Sequence, residues 1–214
     1  MDYLGEELKL LTQRRVDNFK KIVDSAQKKL RDREVKQVPP RVMKALVREA
    51  TFYDDPLSAE YFGGVLASSV SGVSRDDRGV VVLDAISRLS TYQLRSHYIF
   101  YRILRDLYVG KDLLNPLVPE DRMRLVAYME FSAYARTMAL DHDELHNLSA
   151  ILTNVLPGLA RQSLIQERYA AGTPGELRQI WSAPHASLPA PGFMYLPTPF
   201  GFDLFLWAHG REEI

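Results

Sequence analysis

The chain has 214 residues, no cysteine, and 27 basic against 27 acidic side chains, so its net charge is zero. That length buries roughly 70% of an extended chain's surface without staples, and the lack of cysteine excludes disulfides, thiolate metal sites and cysteine nucleophiles. Charge balance removes any global attraction to nucleic acid or anionic lipid; the acidic start and the longest aliphatic run, residues 80–83, are too short of apolar length for a signal peptide or a membrane span, which predicts a soluble cytoplasmic protein.

Residues 6–33 read as one long helix. Leu8, Leu11, Val16, Phe19, Ile22, Val23, Ala26 and Leu30 recur at three- and four-residue spacings between charged residues, a single narrow apolar stripe. Residues 1–40 hold ten Lys or Arg against seven Asp or Glu, and mixed charge on a helix marks a solvated face. The stripe Leu8, Leu11, Val16, Phe19 and Ile22 is the candidate surface for a protein partner. Pro39 and Pro40 end this arm, because proline fixes φ and lacks an N–H, yet proline suits a first helical position. A second helix therefore starts there and closes at Asp55-Pro56. Residues 57–70 form a third, whose Gly63, Gly64, Ala67 and Ser68 let a neighbouring backbone come close. A polar loop over 71–79 and a short apolar helix over 80–89 lead to Ser90, an N-cap.

Residues 90–109 are the widest amphipathic helix, rich in tyrosine and arginine, and belong in the core. A helix this aromatic leaves some rings outward, and Tyr101 and Tyr108 join the candidate protein interface as Tyr and Arg are favoured at binding hot spots. Gly110 stops it. Helices are predicted over 120–138 and 141–156, the latter broken at Pro157-Gly158, with 159–170 as a continuation or a separate turn. A long Gly/Pro-rich loop over 172–192 precedes the single predicted strand, 193–196, and Thr198-Pro199 opens a last helix over 200–207.

Asp141-His142-Asp143-Glu144-Leu145-His146 places two imidazoles one turn apart, the spacing that grips zinc. The zinc-protease pattern requires Glu directly after the first His; Asp143 stands there, and no third ligand is evident. Acidic residues at a helix start also suit the macrodipole. His142 and His146 thus offer a metal-dependent hydrolase or nuclease only as an alternative. Glycine-rich phosphate loops and nucleophile elbows are absent, and no catalytic, cofactor or metal residue is assigned.

Several segments carry a resemblance. Residues 5–30, Val38-Pro39-Pro40-Arg41-Val42, Ala50-Thr51-Phe52-Tyr53-Asp54-Asp55-Pro56, residues 86–94 and Leu196-Pro197-Thr198-Pro199-Phe200-Gly201 together resemble the abortive-infection alpha family (Abi-alpha), helical proteins of bacteria associated with phage resistance. The resemblance implies a cytoplasmic component of phage defence and brings no catalytic residue set. The helix over 92–108, a helix over 145–156, residues 161–165 and a strand followed by Leu-x-Thr-x-Phe-Gly-x-x-Leu also look like a winged-helix domain, in which one helix faces the major groove. Residues 141–158 contain no Lys or Arg, whereas groove docking draws on cationic phosphate contacts.

The sequence therefore predicts an all-α protein: a helical bundle with a long N-terminal helical arm (1–37), a helical subdomain (38–89) and a helical subdomain with a small winged-helix-like element (90–214). Its expected work is non-catalytic binding of a protein partner or self-association; a winged-helix DNA-binding regulator is the other alternative, and no membrane span is expected.

Overall fold

The computed structural model describes residues 3–31, 37–49, 53, 55–70, 73, 75–108, 118–181 and 188–210, with side chains from residue 6 onward and without those of 107–108 and 122–123. Among the described residues are eleven helices and three strands, so the chain is mainly helical with one small sheet. None of those helices is long and apolar enough to cross a membrane. The expected Gly110 stop and the Tyr108 ring lie outside what is described. The chain forms two compact units, residues 1–94 with 204–213, and residues 95–203.

In the first unit, α1 (Tyr3–Leu30) is followed by α2 (Pro40–Glu49), α3 (Pro56–Ser68) and α4 (Gly79–Ser87). Pro40 is the first residue of its helix, as its fixed φ allows. Asp55 caps α3, its carboxylate accepting from the Ser58 N–H at 2.9 Å with Pro56 just inside. Helices α1 and α3 run antiparallel. Lys29 Nζ donates to the Glu60 carbonyl oxygen at 2.8 Å and pairs with its carboxylate, while Gly63 sits against Ser25 and the carbonyl of Ile22. Burial alone raises the Glu60 carboxyl, but Lys29, helped by Ser25 and Lys28, outweighs it and holds the group below its ordinary range.

The small residues of α3 admit backbone as the sequence suggests. A Cβ on Gly63 would lie 2.6 Å from Ser25 Cβ, and one on Gly64 would lie 1.7 Å from the carbonyl oxygen of Ala208. Ser68 Oγ donates to the Trp207 carbonyl oxygen at 2.9 Å. The core around these contacts holds Ile22, Leu46, Tyr61, Phe62, Leu83 and Trp207, all nearly inaccessible.

The second unit takes most of α5 (Thr91–Tyr108), then α6 (Pro119–Arg124), β1 (Ala127–Glu130), α7 (Phe131–Met138), α8 (His142–His146), α9 (Leu148–Arg161), β2 (Ile165–Gly172), α10 (Pro174–Ile180), β3 (Gly192–Pro197) and the start of α11 (Pro199–Ala208). Ser90 caps α5 as expected, Oγ accepting from the Gln93 N–H at 3.3 Å while Gln93 Oε1 accepts from the Ser90 N–H at 3.0 Å.

Four expectations are corrected here. The helix over 120–138 is instead α6, β1 and α7. Residues 165–172 form a strand, where the sequence predicts 159–170 as a continuation of the preceding helix or a separate turn. Residues 174–180 of the presumed loop form α10. Finally, α9 runs through Pro157; the carbonyl that loses its donor belongs to Thr153, on the exposed side of the helix.

Strand β3 is the centre of a three-stranded antiparallel sheet in the order β1-β3-β2. Tyr195 is opposite Ala127 in β1 and Tyr169 in β2, with an irregularity between Ile165 and Tyr169. Alternation along β3 gives the sheet two apolar faces. Phe193 and Tyr195 face one aromatic cluster, where Phe100 stacks on Tyr195 at 4.2 Å and Tyr134 meets Phe193 edge-on at 5.4 Å. Met194 and Leu196 join Ala170, Leu177, Trp181 and Leu188 in the other.

Candidate interaction surfaces

The apolar stripe of α1 divides into two parts. Every described side chain over residues 6–17 is exposed, with Leu8 at 63%, Leu11 at 48% and Val16 at 59% of full accessibility. Beyond Asp17 the same helix turns inward: Asn18, Ile22, Ser25, Ala26 and Leu30 are buried, and Phe19 is half-buried. The antiparallel packing explains the division. With Glu60 beside Lys29 and Gly63 beside Ser25, α3 reaches its last residue, Ser68, near position 20 of α1. The first fifteen residues of α1, about 22 Å of helix, extend beyond it. Ile22 therefore leaves the candidate interface, since its side chain is spent on the core.

Tyr101 leaves it too, being fully buried. Its hydroxyl donates to the Leu164 carbonyl oxygen and accepts from the Thr198 N–H at 3.1 Å, tying the start of β2 to the turn into α11. A Cβ on Gly201 would lie 1.9 Å from that hydroxyl oxygen, so only glycine leaves it room. Burial pushes the phenol well above its ordinary pKa, only partly offset by the hydrogen bond from Thr198. His97, one turn earlier, is also buried and donates from Nε2 to the Gly201 carbonyl oxygen at 3.1 Å. The more outward aromatics of α5 are Tyr92 and Tyr98, both half-buried, with Arg102 over the Tyr98 ring at 5.9 Å.

His142 and His146 do share one exposed face, their ring centroids 4.4 Å apart. His146 Nδ1 is 2.7 Å from the His142 carbonyl oxygen, which commits that nitrogen to the helix. The flanking carboxylates are committed as well. Asp141 Oδ1 accepts from the Glu144 N–H and Glu144 Oε2 from the Asp141 N–H, each at 2.8 Å, a reciprocal capping box. Among the described residues no group of three or more His, Asp or Glu is placed to hold a metal ion.

A feature the sequence did not reveal lies alongside. Leu148, Leu152, Leu156 and Pro157 of α9 form one wall of an open groove of about 750 Å3, and Phe131, Tyr169, Ala171 and Ile180 the other. These leucines lie in a helix that the sequence predicts, but with β2 unrecognised the facing wall had no place. The outward residues of α9 are Ser149, Ala150, Thr153, Asn154 and Arg161, of which only the last carries a charge.

No family model matches the chain, nor does any curated protein or solved structure.

Proposed function

We propose that the chain acts by binding rather than by catalysis, as a cytoplasmic component of bacterial defence against phage whose contact with another protein is made by the exposed stripe of α1. The exposure of Leu8, Leu11 and Val16 on a helix whose other half is packed carries this reading. Exposed leucines in register with a buried seam do nothing for the chain's own core, and burying what remains exposed of each in a contact stabilises by about 1–2 kcal/mol. The resemblance to the abortive-infection alpha family supplies the biological setting.

The second unit has the role of a winged-helix-like element in this proposal. What supports it is the order helix, strand, helix, helix, strand, strand, drawn from α5, β1, α7, α9, β2 and β3, with β3 central. The outward side of α9, on which Arg161 is the single charge, favours protein over DNA as its neighbour.

The test is a double substitution, Leu8→Asp with Leu11→Asp. In bacteria challenged with phage, the native chain is expected to lower plating efficiency and the double variant to restore it to that of cells lacking the protein. Thermal unfolding should differ by less than about 0.5 kcal/mol, as for other surface changes. A native chain that protects against no phage, or a variant that protects equally well, overturns the proposal.

A further inference from the structure

The partner of the α1 stripe can be identified from the helix itself. Leu8, Leu11, Arg15, Asn18, Ile22, Ser25 and Lys29 follow one another in alternating steps of three and four, the spacing of a coiled-coil seam. From Asn18 to Ser25 that seam is buried, with Ser25 and Ile22 packed on Gly63 of α3, and at Lys29 it is half-buried; over residues 6–17 it continues uncovered. The surface that needs a partner is thus the prolongation of one already built to receive a helix.

We infer that a second copy of this chain supplies that helix, the exposed first half of α1 pairing antiparallel with its own equivalent about a two-fold axis between Leu8 and Leu11. This rests on the reading of α1 as the binding surface. Three observations select the occupant and its direction. Antiparallel pairing sets Leu8 of one copy against Leu11 of the other, twice, so the two exposed leucines of the seam meet each other, while Val16 lies outside it. Glu7 and Arg14 are seven residues apart and flank the seam on the same side. Seam-flanking positions of this kind face their own equivalents in an antiparallel pair, so Glu7 meets Arg14 of the second copy at both ends. Arg15 lies within the seam; a parallel pair would stack it on its own mate, whereas the antiparallel arrangement moves the two guanidinium groups to opposite ends. The contact is isologous and closes at two copies, so it does not propagate into a fibre.

Charge exchange tests this. At about 100 μM, where complexes with micromolar dissociation constants are populated, sedimentation of the native chain should report twice its 24.4 kDa. Leu8→Asp with Leu11→Asp should give monomer. Glu7→Lys alone and Arg14→Glu alone should each weaken self-association about tenfold, since two attractive flanking pairs become repulsive. Mixing those two variants should restore the dimer as a heterodimer. The chain carrying both changes should dimerise with itself but mix poorly with the native chain. That last variant also controls for helix stability, because it keeps the lysine near the positive end of the helix dipole.

A native chain that stays monomeric at this concentration overturns the inference, as does a doubly exchanged chain that mixes freely with the native one, the mark of parallel pairing. If the native chain is monomeric while Leu8→Asp with Leu11→Asp still abolishes phage protection, the stripe serves a different protein and the binding reading survives alone. If the variant changes neither mass nor protection, both fall.

Discussion

Tyr101 shows how one hydroxyl decides whether an aromatic side chain belongs at a surface or inside. By residue type it suits an interface, being a large ring with a polar tip. Its position tells otherwise: Leu94, His97, Tyr101 and Leu104 are spaced three, four and three apart along α5, and all four are buried. What makes burial tolerable is that the hydroxyl is doubly used, by the Leu164 carbonyl and the Thr198 N–H. Replacing it with phenylalanine keeps the ring contacts, including the edge-on meeting with Phe202 at 4.9 Å, but leaves the buried Leu164 carbonyl and the half-buried Thr198 N–H without that partner. Tyr101→Phe should therefore cost about 1–3 kcal/mol, measured by denaturant unfolding. A loss below about 0.5 kcal/mol would show that water or a shifted backbone replaces both bonds. Ile22 teaches the converse lesson: Ile22→Asp would place a carboxylate among core residues and report on folding, so Leu8 and Leu11 are the positions that report on association.

At the scale of elements, α3 is the piece whose composition and packing agree most closely. A helix containing Gly63 and Gly64 forgoes about 1 kcal/mol per glycine relative to alanine, and the return is close backbone contact on two sides. Ser25 and the Ile22 carbonyl lie on one side and the Ala208 carbonyl on the other. Gly64→Ala should destabilise by about 3 kcal/mol, since its methyl would overlap a backbone oxygen that no rotamer change can move. Gly175, in α10, has nothing within 4 Å of an added Cβ, so Gly175→Ala should be neutral or stabilising by up to about 1 kcal/mol. Thermal unfolding of the two variants side by side separates the steric cost from the helix preference. Equal melting temperatures would refute the close approach at Gly64.

The elements legible in the sequence were those that carry their own boundaries. Pro40, Asp55-Pro56, Ser90 and Thr198-Pro199 each mark a helix start by local geometry, and each does so in the structure. Strand β3 was legible as an apolar run between glycine and proline. Strands β1 and β2 were not, because Ala127, Met129, Glu130, Glu167, Ala170 and Ala171 are residues that favour helix or are indifferent; their conformation is imposed by pairing with β3, far away in sequence. Helix α10 had a readable signal that its one glycine and one proline obscured. Thr173 and Glu176 form a capping box around Pro174, and hydrogen bonds from the Thr173 N–H and hydroxyl hold the Glu176 carboxyl below its ordinary range. The candidate surface was half legible: periodicity found the stripe of α1, but only the length and direction of α3 tell where it passes from core to surface.

At the scale of the whole molecule, charge separates the protein-binding reading from the DNA-binding one. A net charge of zero gives the chain no general attraction for phosphate, so any affinity for duplex DNA has to come from a local patch. The helix that would enter a groove offers none: Ser149, Ala150, Thr153 and Asn154 face outward, and Arg161 is the only cation of α9. The basic pairs of α1 do not compensate, because Glu6, Glu7 and Asp17 are interspersed with Arg14 and Arg15 on the same exposed segment. A protein neutralising several phosphates loses affinity steeply between about 50 and 200 mM salt; one neutralising none has no slope to lose. Gel-shift titration with duplex DNA at about 150 mM salt should therefore show no complex below about 100 μM protein, the weak end of ordinary non-specific binding. A shift at micromolar protein that fades as salt rises would locate a phosphate-binding surface and move the function from protein association to DNA.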